Sequence, residues 1–259
     1  MTKSRQLQFN LQIGSQKPES IINRSTACPF CDRDSLTDII EEQGPIMLLK
    51  NKYPVLQDTY PTVLIETDDC DADLTTYDKE HLYRLIRFGV QHWRAMEESG
   101  EFTSVMFFKN HGPYSGGSIH HPHMQIIGLN HVDCMEHTHV DHFEGVLIDE
   151  QPGVSCNLST QPRIGFSEFN VVLRDREQID RMADYIQMLT HYVMNHFHKS
   201  CNSYNLFFYR FGDTIKVKVI PRFIVSPVFV GYSIPQVPTN LEHVVRDIQN
   251  RYLQREICP

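Results

Sequence analysis

Residues 108–125 read FKNHGPYSGGSIHHPHMQ, and an apolar run continues through Leu129. Gly112, Gly116 and Gly117 precede three histidines, His120, His121 and His123, packed into four positions, with Gln125 just beyond. Alternate side chains of a strand share a face, so His121, His123 and Gln125 line one side, with Met124 and Ile126 on the other. His120 falls opposite His121. Pro122 donates no backbone hydrogen bond, which favours a strand start or an edge. The glycines let the backbone approach a ligand closely, and their N–H groups suit an anionic phosphate. One histidine on a sheet face is ordinarily a polar surface residue. Two with a glutamine, behind a glycine turn, point to a site.

Working outward, PIMLLKNKYPVL and PTVLIET read as strands rich in Val, Ile and Leu. TTYDKEHLYRLIRFGVQHWRAMEESG reads as a long helix, because Leu82, Leu85, Ile86 and Val90 recur at spacings of three and four, and Gly100 stops it. FTSVMFFKN is a strand ahead of the glycine turn. Residues 130–161 read as irregular. RIGFSEFNVVLRD is a strand, residues 176–200 a second long helix, SYNLFFYRFG and TIKVKVIPRFIVS two strands, and LEHVVRDIQNRYLQRE a closing helix. The order strand, long helix, strand, turn, strand thus occurs over 62–129 and again over 164–221, which points to two related α+β halves. In register, Lys216, Lys218 and Ile220 stand where the first half has His121, His123 and Gln125. The lysines either face a phosphate or are solvated.

The chain has 259 residues, 41% hydrophobic and 22% charged, with a net charge of −8. That composition suits a soluble globular protein with ample core. The acidic balance gives no footprint of a nucleic-acid binder, and a phosphate-bearing ligand would need local positive charge or backbone N–H groups. MTKSRQLQFNLQIG carries no signal-peptide pattern, and no apolar run approaches a membrane span. The seven cysteines then read as reduced and cytoplasmic, free to bind metal or be buried. Cys28-Pro-Phe-Cys31 alone is ambiguous between half a zinc site, a redox pair and two buried thiols, although no βαβ pattern surrounds it to support redox chemistry.

The segment 108–125 resembles the active-site segment of galactose-1-phosphate uridylyltransferases, members of the histidine-triad superfamily. The family pattern of F-x-N-x-G, Gly-x-Ser and His-Pro-His-x-Gln aligns without a gap on Phe108, Asn110, Gly112, Gly116, Ser118, His121, Pro122, His123 and Gln125. KNKYPVL is similar to the family's nucleotide-binding Asn-x-aromatic stretch, and VFVGYS to its Val-Gly-Tyr-Glu stretch. The resemblance implies an α+β fold of two tandem histidine-triad-like halves, mainly antiparallel sheet with long helices packed on it. Residues 1–161 would form the catalytic half with a zinc site, and 162–259 a degenerate one.

The resemblance also implies roles. His123 would attack the α-phosphorus of a nucleoside diphosphate sugar and become a nucleotidyl-histidine, its other ring nitrogen held by a hydrogen bond, often to a backbone carbonyl. Gln125, Ser118 and backbone N–H groups around Gly116 and Gly117 would meet the phosphoryl oxygens. Asn51 and Asn110 would hold the nucleotide. The implied activity is ping-pong nucleotidyl transfer of the UDP-glucose–hexose-1-phosphate uridylyltransferase kind, in carbohydrate metabolism, by an enzyme that forms a homodimer. Two departures open the acceptor side. Ser233 follows Val230-Gly231-Tyr232 where the family has glutamate, and its sugar-phosphate arginines have no match, Arg24 being out of place. Phosphorolysis or hydrolysis of an ADP-sugar or dinucleoside polyphosphate fits as well as transfer to a hexose 1-phosphate, and a binding module without turnover is the non-enzymatic alternative.

For metal, the resemblance implies structural zinc held by Cys28, Cys31, His121 and one downstream ligand. The family's histidine at that place is Cys70 here, giving a closed Cys3His set. His131, Cys134, His137, His139 and His142 form a second cluster, either another metal site or a solvated lid. Some relatives bind iron through a histidine pair in the second half. With Lys216 and Lys218 in those places, no iron is expected.

Overall fold

The structure, a computed structural model, describes residues 6–253 apart from 24, 26 and 224, so Arg24 lies outside the described residues. The chain divides into two compact units, one up to His137 and one from Thr138. In the first, a short helix α1 (Leu11–Gly14) precedes strands β1 (Ile39–Gln43), β2 (Ile46–Lys50) and β3 (Thr59–Ile65). Helix α2 (Lys79–Glu98) and strands β4 (Ser104–His111) and β5 (His123–Leu129) complete it. The second unit runs β6 (Gly145–Gln151), β7 (Val154–Ser159), β8 (Phe169–Leu173), α3 (Ile179–Tyr192), β9 (Tyr204–Phe211), β10 (Thr214–Pro221), α4 (Pro227–Tyr232) and α5 (Leu241–Tyr252). Strand order in the first unit is β1-β2-β3-β5-β4, and in the second β6-β7-β8-β10-β9. Every pair in these two orders is antiparallel. The repeat expected from the sequence is therefore present strand for strand, and the fold is α+β with tandem halves.

The division falls at 137/138 and not at the expected 161/162. Residues 145–159, read as irregular, form the hairpin β6–β7, and β7 pairs with β8 along Val154–Leu158. Gly153 turns that hairpin at a φ of +79°, a conformation that favours glycine.

Asp78 caps α2 by accepting from the His81 N–H, and Gly100 ends it at a φ of +71°. The apolar stripe Leu82, Leu85, Ile86, Val90 and Trp93 is buried. Gly89 lets the helix approach the sheet, since a Cβ there would come within 2.6 Å of the Phe107 ring. Phe107, Ile126, Met124 and Leu64 are register neighbours on one sheet face, and β4 and β5 both contact α2. On the opposite face, Val63 pairs with Gln125 and Ile65 with His123. A second buried cluster of Phe30, Met47, Leu49, Val63 and Ile65 covers that face, with the segment around Cys28 and Leu36 packed over it.

Candidate active site

Strand β5 begins at His123, so the alternation expected from His121 holds only for His123 and Gln125. His121 lies in the approach to the strand, wholly buried, and reaches its partners from there. Its Nε2 donates to the Thr67 carbonyl at 2.7 Å, which leaves Nδ1 as the lone-pair nitrogen, 3.5 Å from Cys31 Sγ. The ligand atoms of Cys28, Cys31, Cys70 and His121 all lie within 4.8 Å of one another and could hold a metal ion. Tetrahedral zinc with sulfur at about 2.3 Å separates its sulfurs by about 3.8 Å, so a shift of about 1 Å closes the set. The backbone hydrogen bond on the far ring nitrogen is the support expected behind a ligating histidine. The three thiols are crowded. Burial works to raise Cys28, but hydrogen bonds with His121, the Phe30 backbone and Cys31 bring it down to about 7. Burial, and the proton shared with Cys31, push Cys70 up to about 12. A bound cation would remove that conflict. Cys70, which stands where a histidine was expected, lies within this group.

His123 is buried, and its Nδ1 donates to the His121 carbonyl at 2.8 Å. That bond fixes the tautomer and leaves the lone pair on Nε2. Burial above all, with Lys109, His121 and Lys17 nearby, takes the imidazole down to about 4. Phe30 stands edge-on to both histidines, with ring centroids 5.9 Å from His121 and 5.4 Å from His123.

His123 lines a cavity of about 300 Å³, together with Gln125, Ser118, Gly116, Gly117, Asn110 and Asn51. All the residues expected around the nucleotide thus meet in one place. Gly116 turns at a φ of +85° with open space where a Cβ would stand. Gly117 is less free than expected, because its N–H donates to Ser115 Oγ at 3.3 Å, while Ser115 Oγ–H donates to the Gly112 carbonyl at 2.7 Å. The N-terminal arm holds this loop through Ser20, whose N–H donates to the Ser118 carbonyl at 2.8 Å and whose Oγ accepts from the His120 N–H at 3.0 Å. Asn51 Oδ1 accepts from the Tyr53 N–H at 2.8 Å, which shapes the turn after β2.

Sequence reasoning missed part of the lining. Lys17, Lys50 and Lys52 border the cavity and supply the positive charge that an acidic chain needs there. Two of them flank Asn51 in KNK, the one signal that was available. Phe30, between the two cysteines, was also missed. His120 has a partner after all: its Nε2 is 3.1 Å from Asp71, next to Cys70.

The His131–His142 run lies along a loop and a short 3-10 turn, where His142 Nδ1 accepts from the His139 N–H at 3.1 Å. Lys218 is not solvated. It is fully buried, 2.9 Å from Glu168, and donates to the His142 carbonyl at 2.7 Å. Among the described residues, no helix is long and apolar enough to cross a membrane.

Two families described as the N-terminal and C-terminal domains of DUF4931, a domain of unknown function, match residues 9–132 and 135–253. A crystal structure of a DUF4931 family protein from Bacillus cereus ATCC 10987 is 48% identical, covers 84% of this chain and all of its own, and has a TM-score of 0.77. A uridylyltransferase structure is 15% identical, with 86% and 90% of the two chains covered and a TM-score of 0.69. An ADP-glucose phosphorylase from Arabidopsis thaliana with bound ADP-glucose is 13% identical, with 90% of each chain covered and a TM-score of 0.71. At those identities the last two share the fold. No curated protein matches the sequence.

Proposed function

We propose that this chain, which belongs to the DUF4931 family, is a nucleotidyltransferase that works through His123. The observation that carries the reading is the His123 Nδ1–H bond to the His121 carbonyl, which aims chemistry at Nε2 beside a cavity lined by Gln125, Ser118 and three lysines. Nε2 attacks the α-phosphorus of a nucleoside diphosphate sugar. The bond from that phosphorus to the bridging oxygen breaks, and the sugar phosphate leaves with the electron pair. The ring is then cationic, and the His121 carbonyl accepts a stronger, charge-assisted hydrogen bond from it than before the attack. Gln125 and Ser118 donate to the phosphoryl oxygens as charge builds. An acceptor oxygen next attacks the same phosphorus, Nε2 leaves, and the neutral imidazole returns.

Cys28, Cys31, Cys70 and His121 would hold zinc, which, when bound, contributes closed structural coordination and ties the arm to the approach of β5. His121 then fixes the carbonyl that orients His123. The acceptor is a phosphate oxygen, of inorganic phosphate or of a hexose 1-phosphate. Supporting the first are Ser233 in the place of a family glutamate and the fold shared with an ADP-glucose phosphorylase. Incubation with UDP-, ADP- and GDP-glucose, with either acceptor, is expected to release glucose 1-phosphate or form a nucleoside diphosphate, and His123→Asn is expected to stop it. Release of neither product by the wild type with any donor would contradict the reading.

A further inference from the structure

The face of the second unit's strands turned away from α3 carries a cavity that the first half's chemistry leaves unused. It measures about 470 Å³ and is bordered by Phe143, Leu147, Ser155, Val172, Arg174 and Lys216. Ile215, Val217 and Val219 on β10 are buried, so the alternation turns Lys216 and Lys218 to the opposite face. Lys218 is neutralised there by Glu168. Lys216 is not: it is 9% exposed, with its ammonium 5.1 Å from the Phe143 ring and 4.8 Å from the Phe211 ring. Among the described residues, no carboxylate comes within 4.0 Å of it.

Arg174 converges on the same space. Lys216 pairs with Val172 on β8, and Arg174 is the next residue but one along that strand direction. Its guanidinium donates to Ser155 Oγ at 3.1 Å and lies 3.7 Å from Glu150. Burial pulls the Lys216 ammonium below its usual range and the Arg174 charge adds to this, while Glu144 and Asp141 oppose it. Two cations face one cavity. Arg174 has Glu150 beside it, whereas Lys216, buried over two rings, is the one with no carboxylate in contact among the described residues.

We infer that the second half binds a small phosphate dianion between Lys216 and Arg174. Phe143 and Leu147 offer apolar surface to whatever the phosphate carries. Glu144 and Glu150 border the cavity and disfavour a polyanion such as a nucleoside triphosphate. The shared chemistry is a phosphate dianion, supplied by inorganic phosphate or by a small monophosphate ester.

Calorimetric titration of the full chain with inorganic phosphate, and separately with glucose 1-phosphate, tests this. The tighter ligand identifies the source. Lys216→Met and Arg174→Gln are each expected to weaken one class of site at least tenfold, and Lys216→Arg to restore it. The Arg174 side chain is 54% exposed, so its substitution tests the site even where Lys216→Met fails to fold. Isotherms of the folded Lys216→Met and Arg174→Gln variants, or of folded Arg174→Gln alone, that superimpose on the wild type's for both ligands would overturn the inference. The outcome is independent of the reading of His123, since neither residue belongs to the first half.

Discussion

Strands β5 and β10 hold the same place in the two halves, each between the strand ahead of a long helix and the strand after it. Each turns apolar side chains to its helix and polar ones to the other face. On β5 the polar residue is His123, whose one hydrogen bond leaves a nitrogen facing a cavity. On β10 it is Lys218, whose charge is consumed by Glu168 and by the His142 carbonyl. One half leaves a buried imidazole at the wall of a cavity, and the other locks its polar group into the scaffold. A sheet that places a side chain beneath a covering segment does not decide which of these happens. The partner within reach does: the His121 carbonyl two residues back for His123, and Glu168 just ahead of β8 for Lys218.

The comparison can be broken first at Lys218. Removing one member of a fully buried ion pair leaves an uncompensated charge, a loss of about 3–5 kcal/mol. Lys218→Met is expected to show that loss in urea denaturation, and pairing it with Glu168→Gln to recover part of it, since the Glu168 side chain also accepts from the Arg163 and Ile164 N–H groups. A single variant as stable as the wild type would mean that the pair does not lock β10. Next comes the cysteine set behind β5. Cys70→Ser is expected to lower bound zinc, measured by elemental analysis, and to drop Tm by at least about 5 °C, on the order of 2 kcal/mol. Wild-type protein purified without zinc and equally stable would remove the metal from the account. The smallest effect concerns how β5 is pinned to β3. Thr62 Oγ donates to the Ile126 carbonyl at 2.7 Å, a neutral bond where β10 uses charge. Thr62→Val is expected to lose about 1 kcal/mol in the same denaturation experiment.

Much of this was legible in the sequence, for physical reasons. Leu82, Leu85, Ile86 and Val90 announced α2 because a helix on a sheet buries one stripe, and they are buried. His123, Gln125, Ser118, Asn51 and Asn110 were named from the sequence and line one cavity. Three strands were not legible. All of β1, IIEEQ, is exposed and shows no alternation to read, whereas β7, VSCNLS, is buried throughout. The hairpin β6–β7 was hidden behind a run of histidines and acids, although Pro152-Gly153 is a turn signal. Lys17 escaped because its position depends on the arm's folding back beside the glycine loop, a contact with no local pattern. The state of Lys218 depended in the same way on Glu168, fifty residues away in sequence but one strand away in space.

The central claim is that β5 carries a nucleophile where β10 carries an anchor. Intact-protein mass spectrometry after mixing with each nucleotide sugar, followed by peptide mapping, tests it directly. The account predicts a nucleoside monophosphate adduct on the peptide containing His123, absent in His123→Asn and retained in Lys216→Met. No adduct with any of the donors, or an adduct that survives His123→Asn, would contradict it.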